Sequence, residues 1–273
     1  MLLQEKLKES KENHSAVLAA NFYNLETLKG ILEAARIMQM PVILQLSESS
    51  IQYIGLEIAT NMAKTALLSY GVQGWLHLDH GSSLELVARC LDAGFDSVMI
   101  DASEKSFTEN VKISLKAVAL ASAYHANVEA ELGFIAKLGQ DSKSSFTSPE
   151  DARRFVEETG VDALAVAIGS AHGFYKQAPN LEIRLLAQIN SATSAPLVLH
   201  GSSGIPDKML QEAVRNGITK VNLATETKNI FMQTLKKILL ETDEIDLRKV
   251  FPKANNAVVQ LIANKMRVIK ESN

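Results

Sequence analysis

Short apolar runs alternate with longer stretches of helical spacing along almost the whole chain. The runs fall at residues 16–20, 41–46, 74–79, 96–101, 127–131, 163–168, 196–200 and 218–222. They are rich in Val, Ile, Leu and Ala with few polar interruptions, the composition of parallel strands covered on both faces. Between them, apolar positions recur at three- and four-residue spacing over 25–38, 51–69, 83–91, 108–124, 149–159, 181–191, 206–215 and 225–240. Ser148-Pro149 reads as an N-cap and first helical residue, and Gly160 and Gly217 stand just past helix ends. Eight strand-helix units predict a closed (β/α)8 TIM barrel. A doubly wound open sheet is the structural alternative, and no Gly-x-Gly-x-x-Gly follows the first run, as its nucleotide-binding form would need. With no low-complexity linker, residues 1–273 read as a single domain, 245–270 forming a C-terminal helical extension.

Composition narrows the function classes. Lys and Arg number 28 against 31 Asp and Glu, a net charge of −3, which gives no electrostatic reason to expect nucleic acid or an anionic membrane as partner. Apolar residues make up 47% of the chain, ample for a core. The single cysteine, Cys90, excludes an internal disulfide, fits a reducing compartment and is expected to be buried in a helix. Residues 1–14 are mostly polar, and no apolar run approaches the roughly 18 residues that span a bilayer. A soluble, cytoplasmic protein is expected.

Polar residues gather where the strands end. Asp79 and His80 close strand 3, Asp101 strand 4, Glu131 strand 5, His172 follows strand 6, His200 closes strand 7 and Asn222 strand 8. Alone, a strand-end histidine is most often a hydrogen-bonded structural group, and Asp101 would serve as a helix cap. A barrel brings all of these ends to one mouth, where packing alone does not explain so dense a polar ring. Three neutral imidazoles suit Zn²⁺ and leave a fourth position open for a substrate oxygen. Asp101 and Glu131 are placed for a second cation or for orienting the ligands. Gly201-Ser202-Ser203-Gly204 offers backbone N–H groups and hydroxyls, and Asn222-Leu223-Ala224-Thr225 opens a helix. Loops after strands 7 and 8 beside a helix N-terminus form a recurrent phosphate site. His77, two residues before Asp79, faces the same way and is expected to orient the site rather than to ligate. His14 and His125 read as surface or helix-end residues, and Lys220 as structural or salt-bridged.

Five strings in order carry a resemblance: Leu76-His-Leu-Asp-His-Gly81, Val128-Glu-Ala-Glu-Leu-Gly133, Ala167-Ile-Gly-Ser-Ala-His-Gly173, Leu197-Val-Leu-His-Gly-Ser-Ser-Gly204 and Val221-Asn-Leu-Ala-Thr225. With Asn21 and Asn24-Leu-Glu-Thr27 they resemble the class II, zinc-dependent fructose-bisphosphate and tagatose-bisphosphate aldolases, from about residue 21 to the end of strand 8. The resemblance implies zinc on His80, His172 and His200, a second divalent cation at Asp101 and Glu131, and Asp79 as the group that exchanges a proton with the aldehyde oxygen. It implies that Gly173, Gly201, Ser202, Ser203, Asn222, Leu223, Ala224 and Thr225 hold the dihydroxyacetone-phosphate half, partly through a monovalent cation, Na⁺ or K⁺. Asn21 and Ser47 match pocket residues, and Arg248 the arginine that meets the far phosphate. The implied reaction is cleavage or condensation of fructose 1,6- or tagatose 1,6-bisphosphate through a metal-stabilised enediolate, a step of carbohydrate metabolism such as glycolysis, in a homodimer or homotetramer. No lysine stands at the ends of strands 3 to 7 for a Schiff base.

Two departures keep an alternative open. The family's glutamate-bearing loop after Glu-Leu-Gly is shorter here, and Asp141 is the only carboxylate between Gly133 and Ser148. After Ser47-Glu48 the family usually has Gly-Ala, and this chain has Ser49-Ser50. The alternative is an aldolase-like protein with an altered substrate or lost turnover that binds zinc and a phosphorylated sugar. A barrel metallohydrolase is disfavoured, because Asn21-Phe22-Tyr23 replaces the His-x-His expected on strand 1 and Asn222 the aspartate expected on strand 8.

Overall fold

A computed structural model describes residues 1–133, 135, 146–175 and 179–272. Eight parallel strands close into a barrel in sequence order: β1 Val17–Asn21, β2 Val42–Ser47, β3 Gly74–Gly81, β4 Ser97–Ile100, β5 Asn127–Leu132, β6 Ala163–Val166, β7 Leu197–Leu199 and β8 Ile218–Leu223, with β8 pairing back to β1. The TIM barrel read from the apolar runs is the observed fold, with strand ends shifted by at most two residues.

Alternation along each strand sorts side chains between two environments. Leu18, Ala20, Val42, Leu44, Leu76 and Leu78 join the large core beneath the helices, whereas Val17, Ala19, Ile43, Trp75, Ala163, Ala165 and Val198 form a separate cluster on the barrel axis. The axial cluster occupies the end where strands begin. Toward the other end the axial positions turn polar, with Gln45, His77, Glu129 and Lys220 all 0% exposed.

Helix boundaries follow local chemistry. Helix α2 (Leu25–Met38) starts at Asn24, which exchanges hydrogen bonds with Thr27 in a capping box; α5 (Leu84–Asp92) starts at Ser83, α6 (Phe107–Ser122) at Ser106 and α7 (Pro149–Thr159) at Ser148. Cys90 is buried in α5, as expected. After α8 (Ile183–Ala192), α9 (Asp207–Arg215) and α10 (Thr225–Glu241), the extension is the single helix α11 (Leu247–Lys270), whose Val250, Ala254, Val258, Ile262 and Met266 are buried.

Two features depart from the sequence reading. The helix expected over 51–69 is two, α3 (Glu48–Ile54) and α4 (Leu56–Tyr70), because Gly55 at φ +93° ends one and begins the next. Residues 1–14, read as polar and without an element, contain α1 (Leu3–Glu12). Its Leu3 and Leu7 belong to the axial cluster, and Trp75 Nε1 donates to the Met1 carbonyl at 3.3 Å. Two apolar positions four apart seal the end of the barrel where the strands begin.

Candidate active site

The strand-end residues do converge. At the end of β3 the pairing with β4 slips between Leu78 and Gly81, and His80 adopts φ +50°, a left-handed backbone that a residue with a Cβ takes at a cost. Its ring lies among those of His172 and His200, with centroid separations of 4.9 Å and 4.7 Å. One nitrogen from each of the three rings falls within 4.8 Å of the others, and a second such group joins His80 to Asp101 and Glu131.

Hydrogen bonds from below set which nitrogens face inward. His80 Nδ1 is 2.7 Å from Asp101 Oδ2, and Asp101 Oδ1 accepts from the Ser103 N–H and hydroxyl. His200 Nε2 is 2.9 Å from Glu129 Oε1. A carboxylate only accepts, so each ring places a proton on the carboxylate side and turns its other nitrogen toward the other ring. His80 Nε2 and His200 Nδ1 stand 3.0 Å apart. Without a cation a proton on His80 Nε2 bridges to the His200 Nδ1 lone pair; a cation that takes that proton's place meets both nitrogens with a third imidazole beside them, and an all-nitrogen set suits Zn²⁺.

Electrostatics around the rings are acidic. Burial opposes charge on His80, but Asp79, Asp101 and Glu131 outweigh it and raise its pKa to about 9. Burial and the Asp101 charge push the Glu131 carboxyl up to about 8, and Glu131 Oε2 has no hydrogen-bond partner among the described residues. That buried, unpartnered oxygen beside a second carboxylate fits a second divalent cation. Asp79 is different: burial works against its charge, yet His80, His200, Lys220 and a hydrogen bond from Asn21 hold it below the usual carboxylate range. Asn21 Nδ2 donates to Asp79 Oδ2 at 2.8 Å and is itself fixed by Gln45 Nε2 at 3.0 Å.

The cleft is lined by Asn21, Asp79, the three histidines, Gly173, Gly201, Ser203, Asn222, Ala224 and Thr225. Helix α10 opens with no side-chain cap at Ala224; its Glu226 N–H donates to the Ser203 hydroxyl at 3.2 Å, and the helix start meets the cleft through Ala224 and Thr225, where its positive end favours an anion. Gly201 is required here: at φ +68°, a Cβ would fall 2.3 Å from the Ala171 carbonyl. The loops after β6 and β7 thus pack backbone to backbone, and Tyr175 links them by accepting from the Ala171 N–H at 2.7 Å and donating to the Gly201 carbonyl at 2.9 Å.

The sequence model of the class-II fructose-bisphosphate aldolase family matches residues 2–273, nearly the whole chain. The chain belongs to that family. A solved structure of the YdjI aldolase from Escherichia coli K12 is 31% identical over 98% of this chain and 97% of its own, with a TM-score of 0.87. A protein from Coccidioides immitis assigned to the fructose-1,6-biphosphate aldolases is 28% identical over 98% and 96%, with a TM-score of 0.90. The fructose-bisphosphate aldolase of Campylobacter jejuni shares the fold, with a TM-score of 0.83 at 22% identity over 98% and 94%. The protein is an aldolase, a lyase of this class. Among its described residues no helix is long and apolar enough to cross a membrane.

Most of the expected site residues of this aldolase come together, and a few stand back. Ser202 is buried and donates to the Asn222 carbonyl, and Leu223 points into the core, so neither side chain lines the cleft. Ser47 pairs in register with Asp79 but caps α3, its hydroxyl 3.1 Å from those of Ser49 and Ser50. Arg248 is exposed on the first turn of α11 and paired with Asp246 at 3.0 Å, away from the residues that line the cleft. Asp141 lies outside the described residues. His77 faces the axis, as expected, and His14 and His125 are exposed at helix ends. Sequence reasoning missed Gln45, Glu129 and Tyr175. The first two had a signal, since Gln45 stands two residues before Ser47 and Glu129 two before Glu131, and alternation along a strand puts each on the same face as that strand-end residue; Tyr175 follows an irregular loop and had none.

Proposed function

We propose that this aldolase is zinc-dependent and cleaves fructose 1,6- or tagatose 1,6-bisphosphate into dihydroxyacetone phosphate and an aldehyde phosphate, and that it runs the reverse condensation. The observation that supports it best is the inward-facing nitrogen set of His80, His172 and His200 next to the uncapped start of α10. Zinc held by these rings supplies Lewis-acid polarisation of the ketose carbonyl. Asp79, ionised and oriented by the Asn21–Gln45 pair, takes the proton of the C4 hydroxyl as the C3–C4 bond breaks, and returns it in condensation. The Gly201–Ser203 backbone, Gly173 and the first turn of α10 bind the phosphate of the dihydroxyacetone half, a site that a Na⁺ or K⁺ ion assists, and Asn222 meets its oxygens. Asp101 and Glu131 accept a second divalent cation. Such a reaction belongs to cytoplasmic carbohydrate metabolism.

The test combines metal analysis with cleavage of both bisphosphates. Chelation abolishes cleavage and zinc restores it, and His172→Ala empties the site. Full zinc content in that variant overturns the ligand assignment, and absence of cleavage of either sugar by zinc-loaded protein overturns the substrate. A second reading, a changed substrate or lost turnover, is favoured by one observation: no glutamate occurs between Gly133 and Ser148.

A further inference from the structure

Beneath the three histidines the axis of the barrel holds charged groups that the cleavage chemistry does not use. Glu129 on β5, Lys220 on β8 and His77 on β3 are all 0% exposed. Lys220 Nζ donates to Glu129 Oε2 at 2.7 Å and lies 3.2 Å from His77 Nε2, while His77 Nδ1 lies 2.7 Å from Ser97 Oγ. The other oxygen of Glu129 is the one that meets His200 Nε2 at 2.9 Å.

The proton positions follow from what each group is able to do. An ammonium only donates, so His77 Nε2 accepts from Lys220 and the His77 proton sits on Nδ1, toward Ser97. A carboxylate paired with that ammonium only accepts, so the bond to His200 is donated by Nε2–H. Asn222 Nδ2, 3.2 Å from the same nitrogen, then donates to Asp79 Oδ1 at 3.4 Å instead. His200 is left with one lone pair, on Nδ1, 3.0 Å from His80 Nε2.

We propose that Glu129, clamped by Lys220, is a positioning residue that fixes His200 as an Nδ1 metal ligand from the floor of the barrel. It rests on the metal assignment above. Lys220 has two roles in this arrangement. It neutralises a carboxylate that would otherwise be an unpaired buried charge. It also occupies Oε2, so that Glu129 stays beneath the ring and does not rotate up to become a ligand itself. The clamp fixes both the plane of His200 and its tautomer, the two properties that a metal-ligand histidine takes from its carboxylate partner.

The test is performed on the full chain with metal alone and no sugar. Zinc affinity is measured by competition with a chromophoric chelator, and coordination by the visible spectrum of the Co²⁺-loaded protein. Glu129→Gln is the main variant, because one amide oxygen is unable to serve both His200 and Lys220. It is expected to weaken zinc binding roughly 10- to 100-fold, the range for loss of such an outer partner, and to change the Co²⁺ spectrum. Ser97→Ala removes the partner of His77 on the far side of Lys220 and is expected to stay within about two-fold of the parent on the same scale. Should Glu129→Gln not fold, the apolar pair Glu129→Leu with Lys220→Met carries the same expectation, since it also leaves His200 without its acceptor and replacing both members of a buried ion pair by apolar residues is usually tolerated. Parent-like zinc affinity in the folded variant, or equal losses in the Glu129 and Ser97 variants, overturns the proposal. Failure of sugar cleavage does not bear on it, because the readout is metal binding.

Discussion

Replacing Asp79 with Asn separates proton transfer from metal binding. The substitution keeps the volume and one acceptor oxygen, which still receives the 2.8 Å bond from Asn21, itself held by Gln45. Asn222 Oδ1, unpartnered in the cleft, gains a donor if the new amide turns its nitrogen that way. Losing the charge on one buried hydrogen bond costs about 1 kcal/mol, so melting is expected to move by no more than roughly 2–4 °C in a domain of this size. The chemical effect is larger. His80 is oriented by Asp101 rather than Asp79, whose Oδ1 is 4.0 Å from His80 Nε2, so with zinc in excess the metal is expected to remain. What is lost is the base that receives the C4 hydroxyl proton, a contribution of about 10²- to 10⁴-fold in kcat, or roughly 2.7–5.4 kcal/mol of barrier. The assay is coupled cleavage at saturating bisphosphate, with zinc content measured on the same samples. A kcat within ten-fold of the parent at full zinc content refutes the role, and a fall in kcat that tracks zinc loss makes Asp79 a metal-retaining residue instead. A change confined to KM makes it a binding residue.

Three further outcomes are expected. In deuterated water, the zinc-loaded protein is expected to exchange the C3 proton of dihydroxyacetone phosphate slowly, and Asp141→Asn to slow it further; exchange that is rapid and indifferent to Asp141→Asn places the abstracting base elsewhere. Gly201→Ala forces a Cβ within 2.3 Å of the Ala171 carbonyl at a left-handed φ, a strain of about 1–3 kcal/mol, and is expected to raise KM for the bisphosphate with little change in metal content; an unchanged KM measured by initial rates refutes the packing of the two loops as a phosphate cradle. Asp162 accepts from the Val128 N–H at 2.9 Å, and burial raises its pKa, so its charge opposes folding above that raised value and not at acid pH. Asp162→Asn is therefore expected to melt higher than the parent at pH 7, with the difference closing toward pH 4; a constant difference across that range refutes it.

The barrel is legible from the apolar runs because strands buried on both faces carry few polar residues, and the mouth is legible because Asp79, His80, Asp101 and Glu131 end such runs. What stayed hidden has physical reasons. Reading only strand ends overlooks the layer one step below, where Gln45 and Glu129 sit among apolar neighbours; period-two alternation marks them, but short apolar runs mask it. Helix α1 is hidden because its buried positions are Leu3, Leu7 and Ser10, only two of them apolar, too few for a hydrophobic period to show. The split at Gly55 is invisible to periodicity, since α3 and α4 each continue an apolar face. Tyr175 acts through its hydroxyl on two backbone groups, and neither partner has a side-chain signature.

Helix α1 makes this barrel a closed-bottomed cup. With Leu3 and Leu7 clustered with Trp75, Val17 and Ile43, the described residues close the axis at that end and leave the histidine-lined rim at the other. In the proposed reaction, substrate, products and metal share that one doorway. The two ends are also free to change independently: rim loops can be redesigned for a different sugar while the stopper holds the barrel together, and a lesion in the stopper is expected to lower melting temperature before it alters which sugar is accepted.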